Sequence, residues 1–504
     1  MERYRAAESG ALAEIDVAMN FYDMKKKTIF LTGGTGNMGW AGFQELYKKN
    51  KFDIRLLARP GKKNRKLLEK YENDPSVTII WGDLTSYEDV LRGVTGADYV
   101  LHVGGMVSPA ADYYPEKTLK VNVSAAGHIA KAVLAQPDAD NIKVVYIGSI
   151  AQYGDRSVPE HWGRAGDPVC ASRYDMYAVS KCKAEKIIVD SGIKKWVSLR
   201  QTGILYPGIL KVVNPTAFHV PMAGVLEWAT IEDSGRLLAN VCEDWVADDF
   251  WNKFYNISSG EEYRMTNYEF LHRMLGALGL PSPEKVFEPQ WFATRNFHGM
   301  WYLDADELEK HLHFRANVPV DKYFADMKKG LPWFYSLAFL APAFAIKLFM
   351  KRYAFEKGMG TQSWVEDDHE KLAAYYGSME AYRNIRSWEQ MRPPYLEKNL
   401  DKALETGEAF NLKHGWNVDT PVVELTLDEV RVAAEFRGGK FLGPEENLGQ
   451  AGAIFDWECE NGHRFKASLE YVLCGGGWCQ DCGLDFCVQN AGPQNRFYSQ
   501  LKRN

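Results

Sequence analysis

Thr28-Ile-Phe-Leu-Thr32-Gly33-Gly34-Thr35-Gly36-Asn37-Met38-Gly39 runs from an apolar stretch into three glycines spaced G-x-x-G-x-x-G. A helical pattern, Trp40–Asn50, follows directly. Glycine permits a tight turn and lets an anion approach the helix N-terminus, where unpaired N–H groups and the helix dipole favour negative charge. A strand before the glycines and a helix after them point to a dinucleotide pyrophosphate rather than a plain turn. Thr32, Gly33, Thr35, Gly36, Asn37, Met38 and Gly39 are therefore expected to cradle it.

Outward from this loop the rhythm repeats. Short apolar runs at 53–58, 77–81, 99–103, 143–147 and 196–200 alternate with helical stretches at 87–94, 118–135 and 176–191. Strands that are apolar almost throughout have both faces covered. The pattern predicts an α/β fold with a doubly wound parallel sheet of Rossmann type. A Rossmann core at 26–200 and a smaller substrate lobe at 201–330 follow from where the rhythm breaks. Residues 1–25 read as an N-terminal extension, 331–425 as an apolar helix with a helical extension and linker, 426–490 as a helix plus metal module, and 491–504 as a tail.

The chain has 504 residues, 46% hydrophobic and 25% charged, with a net charge of −6. That is a globular composition with no global cationic field, so nucleic acid is not an expected partner. The first residues carry charges and lack an apolar core, and a cytoplasmic location is the expectation. Cys170, Cys182 and Cys242 are scattered like buried free thiols.

An acidic residue usually ends the second strand of an NAD site, where it binds the ribose hydroxyls. Here that strand ends Leu56-Leu57-Ala58-Arg59, with Lys62, Lys63 and Arg65 beyond. A guanidinium suits a phosphate, so NADP(H) is expected ahead of NAD(H). The third strand closes Gly82-Asp83-Leu84, and Asp83 can accept from an adenine amino group. Tyr177-x-x-x-Lys181 sets a phenol and an ammonium on one helix face. A nearby positive charge favours phenolate, and such a tyrosine can relay a proton. Ser149, in Gly148-Ser149-Ile150-Ala151-Gln152-Tyr153-Gly154, sits at the carboxyl end of a strand, where open α/β sheets bind ligands.

Together with Arg200-Gln-Thr-Gly-Ile-Leu-Tyr206-Pro207, these motifs span residues 26–330, and the chain resembles an extended short-chain dehydrogenase/reductase. The resemblance implies a nicotinamide-dependent oxidoreductase. Tyr177 would be the general acid/base, Lys181 would bind the nicotinamide ribose and lower the tyrosine pKa, and Ser149 would hydrogen-bond the substrate oxygen. Asn122 matches a helix asparagine that supports a water relay in some members. Tyr206 and Pro207 match a loop that packs on the nicotinamide, and Gly104 a position where the cofactor lies close. Members commonly form homodimers.

Extended members include nucleotide-sugar epimerases and dehydratases. Phe218–Asp233 lacks their Asp-Gly, Arg-Asp pattern and has no Arg/Lys cluster for a diphosphate. The preferred substrate is therefore a small lipophilic carbonyl compound, steroid- or polycyclic-ketone-like, and a nucleotide sugar is the alternative. A cofactor-sensing scaffold is a reading of another class. Gly330–Ile346 is 17 residues without a charge, slightly short for a membrane span. A buried helix is the expectation. A lid, or membrane-surface contact through 330–352 with Lys347, Lys351 and Arg352 at the headgroups, is the sharper alternative.

Near the C-terminus Cys459-x3-His463 is followed by Cys479-x2-Cys482. Cys3His is a closed zinc set, so a structural Zn2+ in a zinc-ribbon or treble-clef-like module is expected, with Cys474 or Cys487 as a substitute ligand. Two basic residues against five acidic ones between 457 and 487 argue against phosphate binding there.

Overall fold

The computed structural model describes residues 26–211 and 213–482. The N-terminal extension, the tail from 491 and Cys487 lie outside them. Seven strands form one sheet: β1 (Lys27–Thr32), β2 (Phe52–Ala58), β3 (Val77–Trp81), β4 (Tyr99–His102), β5 (Lys143–Ser149), β6 (Lys195–Gln201) and β7 (Lys253–Ile257). Their order is β7-β6-β5-β4-β1-β2-β3 and every pairing is parallel. This is the doubly wound α/β sheet that the sequence predicts. The order reverses between β1 and β4, so the carboxyl ends of those strands part and leave a crevice.

Helices cover both faces. α1 (Asn37–Lys49) and α5 (Ile231–Asn240) pack with Ile29, Leu31, Leu56 and Leu101 on one side. α2 (Tyr87–Val94), α3 (Pro115–Leu134) and α4 (Met176–Val189) pack with Phe30, Val100, Val144 and Tyr146 on the other. Adjacent strand residues thus point to opposite faces and both are buried, which accounts for the unbroken apolar runs. β7 has no counterpart among the expected strands. Its Phe254-Tyr-Asn-Ile257 is short and follows an irregular stretch.

The C-terminal part is not a free-standing appendage. α7 (Leu427–Phe436) opens on the Thr426/Glu429 capping box that its sequence announces. It leads to an antiparallel sheet of β8 (Lys440–Gly443), β9 (Ile454–Glu458) and β10 (Arg464–Ser468). The apolar side chains here, including Val430, Phe455, Trp457, Val472 and Trp478, join one continuous core with Ala184, Ile188 and Phe254 of the main sheet and its helices. About 35 residues cannot bury a sufficient core alone, and this segment borrows one.

Two expectations fail. The segment Gly330–Ile346 is not a buried helix. It breaks at Pro342 into a 3-10 stretch, Trp333–Leu340, and the helix α6 (Ala343–Ala354), with Trp333 77% and Phe344 74% exposed. Cys170 is disulfide-bonded, whereas Cys182 and Cys242 are free thiols.

Candidate functional site

The crevice at the sheet's carboxyl edge opens into a cavity of 1080 Å3. Its floor is the turn after β1. Gly33 has φ +72°, and a Cβ there would lie 2.7 Å from the backbone of Gly104. A Cβ at Gly39 would lie 2.2 Å from the Gly33 carbonyl oxygen. Glycine is thus required where the loop folds back on helix α1 and on the end of β4. No side chain caps α1 at Gly36, and its first turn holds no acidic residue, so its leading N–H groups are left for an anion. Gly33, Thr35, Gly36, Asn37, Met38, Gly39, Asp83, Leu84 and Gly104 all line the cavity. These features fit a dinucleotide pyrophosphate.

Beyond β2, Arg59, Lys63 and Asn64 line the same cavity. Asn64 Nδ2 donates to the Arg59 carbonyl at 2.9 Å, and the Arg65 guanidinium lies over the Trp81 ring at 4.7 Å. The Arg59 end of the strand carries cations and no carboxylate. Asp83 Oδ1 accepts from Thr85 N at 2.9 Å and Thr85 Oγ1 at 2.7 Å, which orients the carboxylate at the cavity wall.

Ser149, Tyr177 and Lys181 meet further along the wall. Asp175 caps α4 by accepting from Ala178 N at 2.9 Å, so Tyr177 and Lys181 leave the first turns of the helix on one face. Lys181 Nζ donates to the Ile147 carbonyl at 2.7 Å. Burial brings its ammonium down to about 8, against the upward pull of Glu185. Burial pushes the Tyr177 phenol up to about 12, opposed by a hydrogen bond with Ser149. The Lys181 ammonium lies 5.9 Å from the Tyr177 ring centre. At neutral pH Tyr177 is a protonated donor.

The hydroxyl of Ser149 is positioned from behind. Ser149 Oγ accepts from Ala151 N at 3.2 Å, and Ser149 N donates to Gln152 Oε1 at 2.8 Å. Gln152 Nε2 donates to Glu185 Oε2 at 2.8 Å. Glu185 is buried one helical turn past Lys181. It also accepts from Ser198 Oγ at 2.5 Å and from Arg200 at 2.7 and 3.1 Å. Arg200 then reaches the Gly475 carbonyl at 2.6 Å, so the C-terminal segment closes the back of the site.

Three expected residues are not on the cavity wall. Asn122 is committed elsewhere: Oδ1 accepts from Met106 N at 2.8 Å, and Nδ2 donates to Met106 O at 3.0 Å and Ser180 Oγ at 2.9 Å. It ties a loop to α4. Thr32 Oγ1 is buried behind the turn, accepting from Gly104 N at 3.0 Å. Pro207 packs toward Gly330, although Tyr206 lines the cavity. Conversely, Asp112, Arg173, His298 and Lys371 line the substrate end without having been singled out. His298 Nδ1 lies 3.1 Å from Asp175 Oδ2. Burial, with Asp175 nearby, lifts Asp112 to about 6. Arg173 and Lys371 come from points 198 residues apart, so no local pattern shows that they converge.

A second cluster lies in the C-terminal part. The ligand atoms of Cys459, His463, Cys479 and Cys482 all fall within 4.8 Å of one another. Cys459 Sγ and Cys482 Sγ are 3.5 Å apart, and His463 Nδ1 is 3.1 Å from Cys482 Sγ. Four ligands at tetrahedral Zn–S lengths are spaced by about 3.8 Å, so the set fits the ion. Cys459 and His463 flank the β9–β10 turn, closed by Cys459 N donating to the His463 carbonyl at 3.0 Å. Asn461 Nδ2 donates to Cys482 Sγ at 3.2 Å.

Residues 30–207 match the model of the 3-beta hydroxysteroid dehydrogenase/isomerase family. A UDP-glucose 4-epimerase of Rickettsia massiliae (strain Mtu5) is 28% identical over 113 residues, 21% of this chain and 33% of that protein. A UDP-glucose 4-epimerase of Rickettsia bellii (strain RML369-C) is 29% identical over 111 residues, 21% of this chain and 32% of that protein. The chain thus spans about a third of the length of these curated relatives. Among solved structures, UDP-glucose 4-epimerase from Bifidobacterium longum with NAD+ and UDP has 18% identity and a TM-score of 0.48, covering 62% of this chain and 99% of that one. A dTDP-glucose 4,6-dehydratase from Streptomyces venezuelae with NAD has 17% identity and a TM-score of 0.47, covering 60% and 96%. The stretch that holds the glycine turn, Ser149, Tyr177 and Lys181 is therefore similar to the extended short-chain dehydrogenases/reductases, and within them to the 3-beta hydroxysteroid dehydrogenase/isomerase family.

Proposed function

We propose that this chain is a nicotinamide-dependent oxidoreductase acting on a carbonyl or alcohol carbon. One observation carries the reading: Ser149, Tyr177 and Lys181 converge on the same cavity whose far end is the glycine turn. A bound nicotinamide would supply or take the hydride. Tyr177 Oη holds the proton that the substrate oxygen needs as negative charge builds on it. The Ser149 hydroxyl meets the same oxygen, so two donors stabilise it as in other oxyanion sites. Lys181, anchored on Ile147, presents its ammonium where the nicotinamide ribose would lie. The Glu185–Gln152 pair keeps the serine in place.

The curated relatives support a nucleotide-sugar substrate ahead of the lipophilic ketone, and Arg173 and Lys371 offer the cations that Phe218–Asp233 lacks. The lipophilic reading is favoured by the description of the matched family. The test is a panel of UDP- and dTDP-sugars and steroid ketones, read by coenzyme absorbance and product analysis. Turnover of one class, lost in Tyr177→Phe, supports the assignment. A protein that binds no dinucleotide contradicts it.

NADP(H) is the proposed form of the cofactor, because Arg59, Lys63 and Asn64 stand where an NAD site has a carboxylate. A hydrogen bond to a charged group is worth about 1.5–3 kcal/mol. Arg59→Ala should therefore weaken NADPH at least roughly tenfold and leave NADH nearly unchanged in a fluorescence titration. Equal losses for both coenzymes would refute it.

Cys459, His463, Cys479 and Cys482 are the proposed ligands of a structural zinc ion. With all four positions filled by protein, no open site is left for substrate. Elemental analysis should find stoichiometric zinc in the wild type and little in Cys479→Ser, with a lower Tm. Metal-free wild-type protein of the same stability would overturn the proposal.

A further inference from the structure

The segment between Leu331 and Phe355 breaks the ordinary logic of a water-facing surface. α6 has an inward stripe of Ala343, Ile346, Met350 and Ala354 at helical spacing, which packs on the core around Phe218, Trp291 and Trp364. The opposite stripe of a surface helix should be polar. Here it carries Phe344, Leu348 and Phe355, exposed by 74, 70 and 49%. The preceding 3-10 stretch adds Trp333 at 77% and Leu340 at 65%. Scattered exposed apolar side chains need no explanation, but their concentration within Trp333–Phe355 marks an interaction surface.

Its charges identify the partner. From Lys328 to Lys357 the chain has six Lys or Arg and a single carboxylate, Glu356, although the whole chain is net negative. Lys347 pairs with Glu288, and Glu356 accepts from Tyr113 Oη. Lys351 and Arg352 are exposed on α6 itself, their cationic ends 5.2 Å from the Phe355 ring and 4.0 Å from the Phe349 ring. Long basic side chains beside protruding aromatics match a membrane interface, where apolar groups enter the acyl boundary and cations stay with the phosphates. No helix among the described residues is long and apolar enough to cross a membrane.

We infer that Trp333–Phe355 docks this protein on the surface of an anionic phospholipid bilayer, with Trp333, Leu340, Phe344 and Leu348 inserted and Lys351 and Arg352 at the headgroups. The docking face runs directly into Gly358 and Met359, which line the cavity. The bilayer would therefore lie next to the substrate end of the site. The inference stands whether or not the hydride-transfer reading does.

Vesicle co-sedimentation of the full chain tests it, with phosphatidylcholine alone and with a 3:1 mixture of phosphatidylcholine and phosphatidylglycerol. The wild type should sediment with the anionic vesicles, and more weakly as salt rises. The triple variant Trp333→Ser, Phe344→Ser, Leu348→Ser should lose at least tenfold in partitioning to both. The pair Lys351→Glu, Arg352→Glu should lose the preference for the anionic mixture. Circular dichroism and coenzyme binding, unchanged in all variants, confirm folding. Wild-type protein that stays in the supernatant overturns the inference. If light scattering then shows a dimer that the triple variant dissociates, a second copy of the chain covers the patch; a monomer in both leaves the bilayer excluded just the same.

Discussion

Tyr177→Phe should bind NADPH with the affinity of the wild type and lose about 10²–10⁴ in kcat, the range a positioned general acid supplies. The substitution removes one oxygen and keeps the ring, so the cavity wall beside Lys181 is undisturbed. Burial holds the phenol near 12, which leaves it protonated across the neutral range and able to donate to a developing alkoxide. Ser149 would remain as the second donor, so some turnover should survive. Stopped-flow oxidation of NADPH under single-turnover conditions separates the chemical step from binding. A variant within twofold of the wild-type rate would remove Tyr177 from the chemistry.

Arg200→Met should cost about 3–5 kcal/mol, the usual penalty for leaving a buried charge without its partner. Arg200 and Glu185 are each no more than 1% exposed at the side chain, and the guanidinium supplies two of the contacts on that carboxylate. The same guanidinium holds the Gly475 carbonyl, so the variant also loosens the C-terminal segment. The first thermal transition should fall by roughly 10 °C. The double variant Arg200→Met, Glu185→Leu should recover part of the loss, because it removes the stranded charge. Its kcat should stay low, since Gln152 loses the acceptor that orients it toward Ser149. A single variant as stable as the wild type would show that the pair is solvated, not buried.

What could be read from the residues is local. The glycine turn lies between a strand and a helix only a few positions away, and glycine is demanded there by backbone geometry. Tyr177 and Lys181 are one helical turn apart, and Cys459/His463 and Cys479/Cys482 are short pairs. The residues that escaped are tertiary. Arg173 and Lys371 reach the cavity from distant segments, and Glu185 meets Arg200, and Arg200 the Gly475 carbonyl, only after folding. Asn122 fits a pattern by type and position, yet its amide is spent on Met106 and Ser180. Composition alone does not tell which way an apolar segment faces, and most large side chains of 330–346 face outward. β7 is not legible in the sequence because five residues after an irregular stretch carry too little periodicity.

The most direct measurement is a crystal structure of the protein with NADP+ bound. The pyrophosphate should lie on the first turn of α1 at Gly36–Gly39, the 2′-phosphate between Arg59 and Lys63, and the ribose of the nicotinamide at Lys181. The nicotinamide face should open toward the Tyr177 and Ser149 hydroxyls. A dinucleotide bound outside this crevice, or one whose nicotinamide lies away from Tyr177, would contradict it.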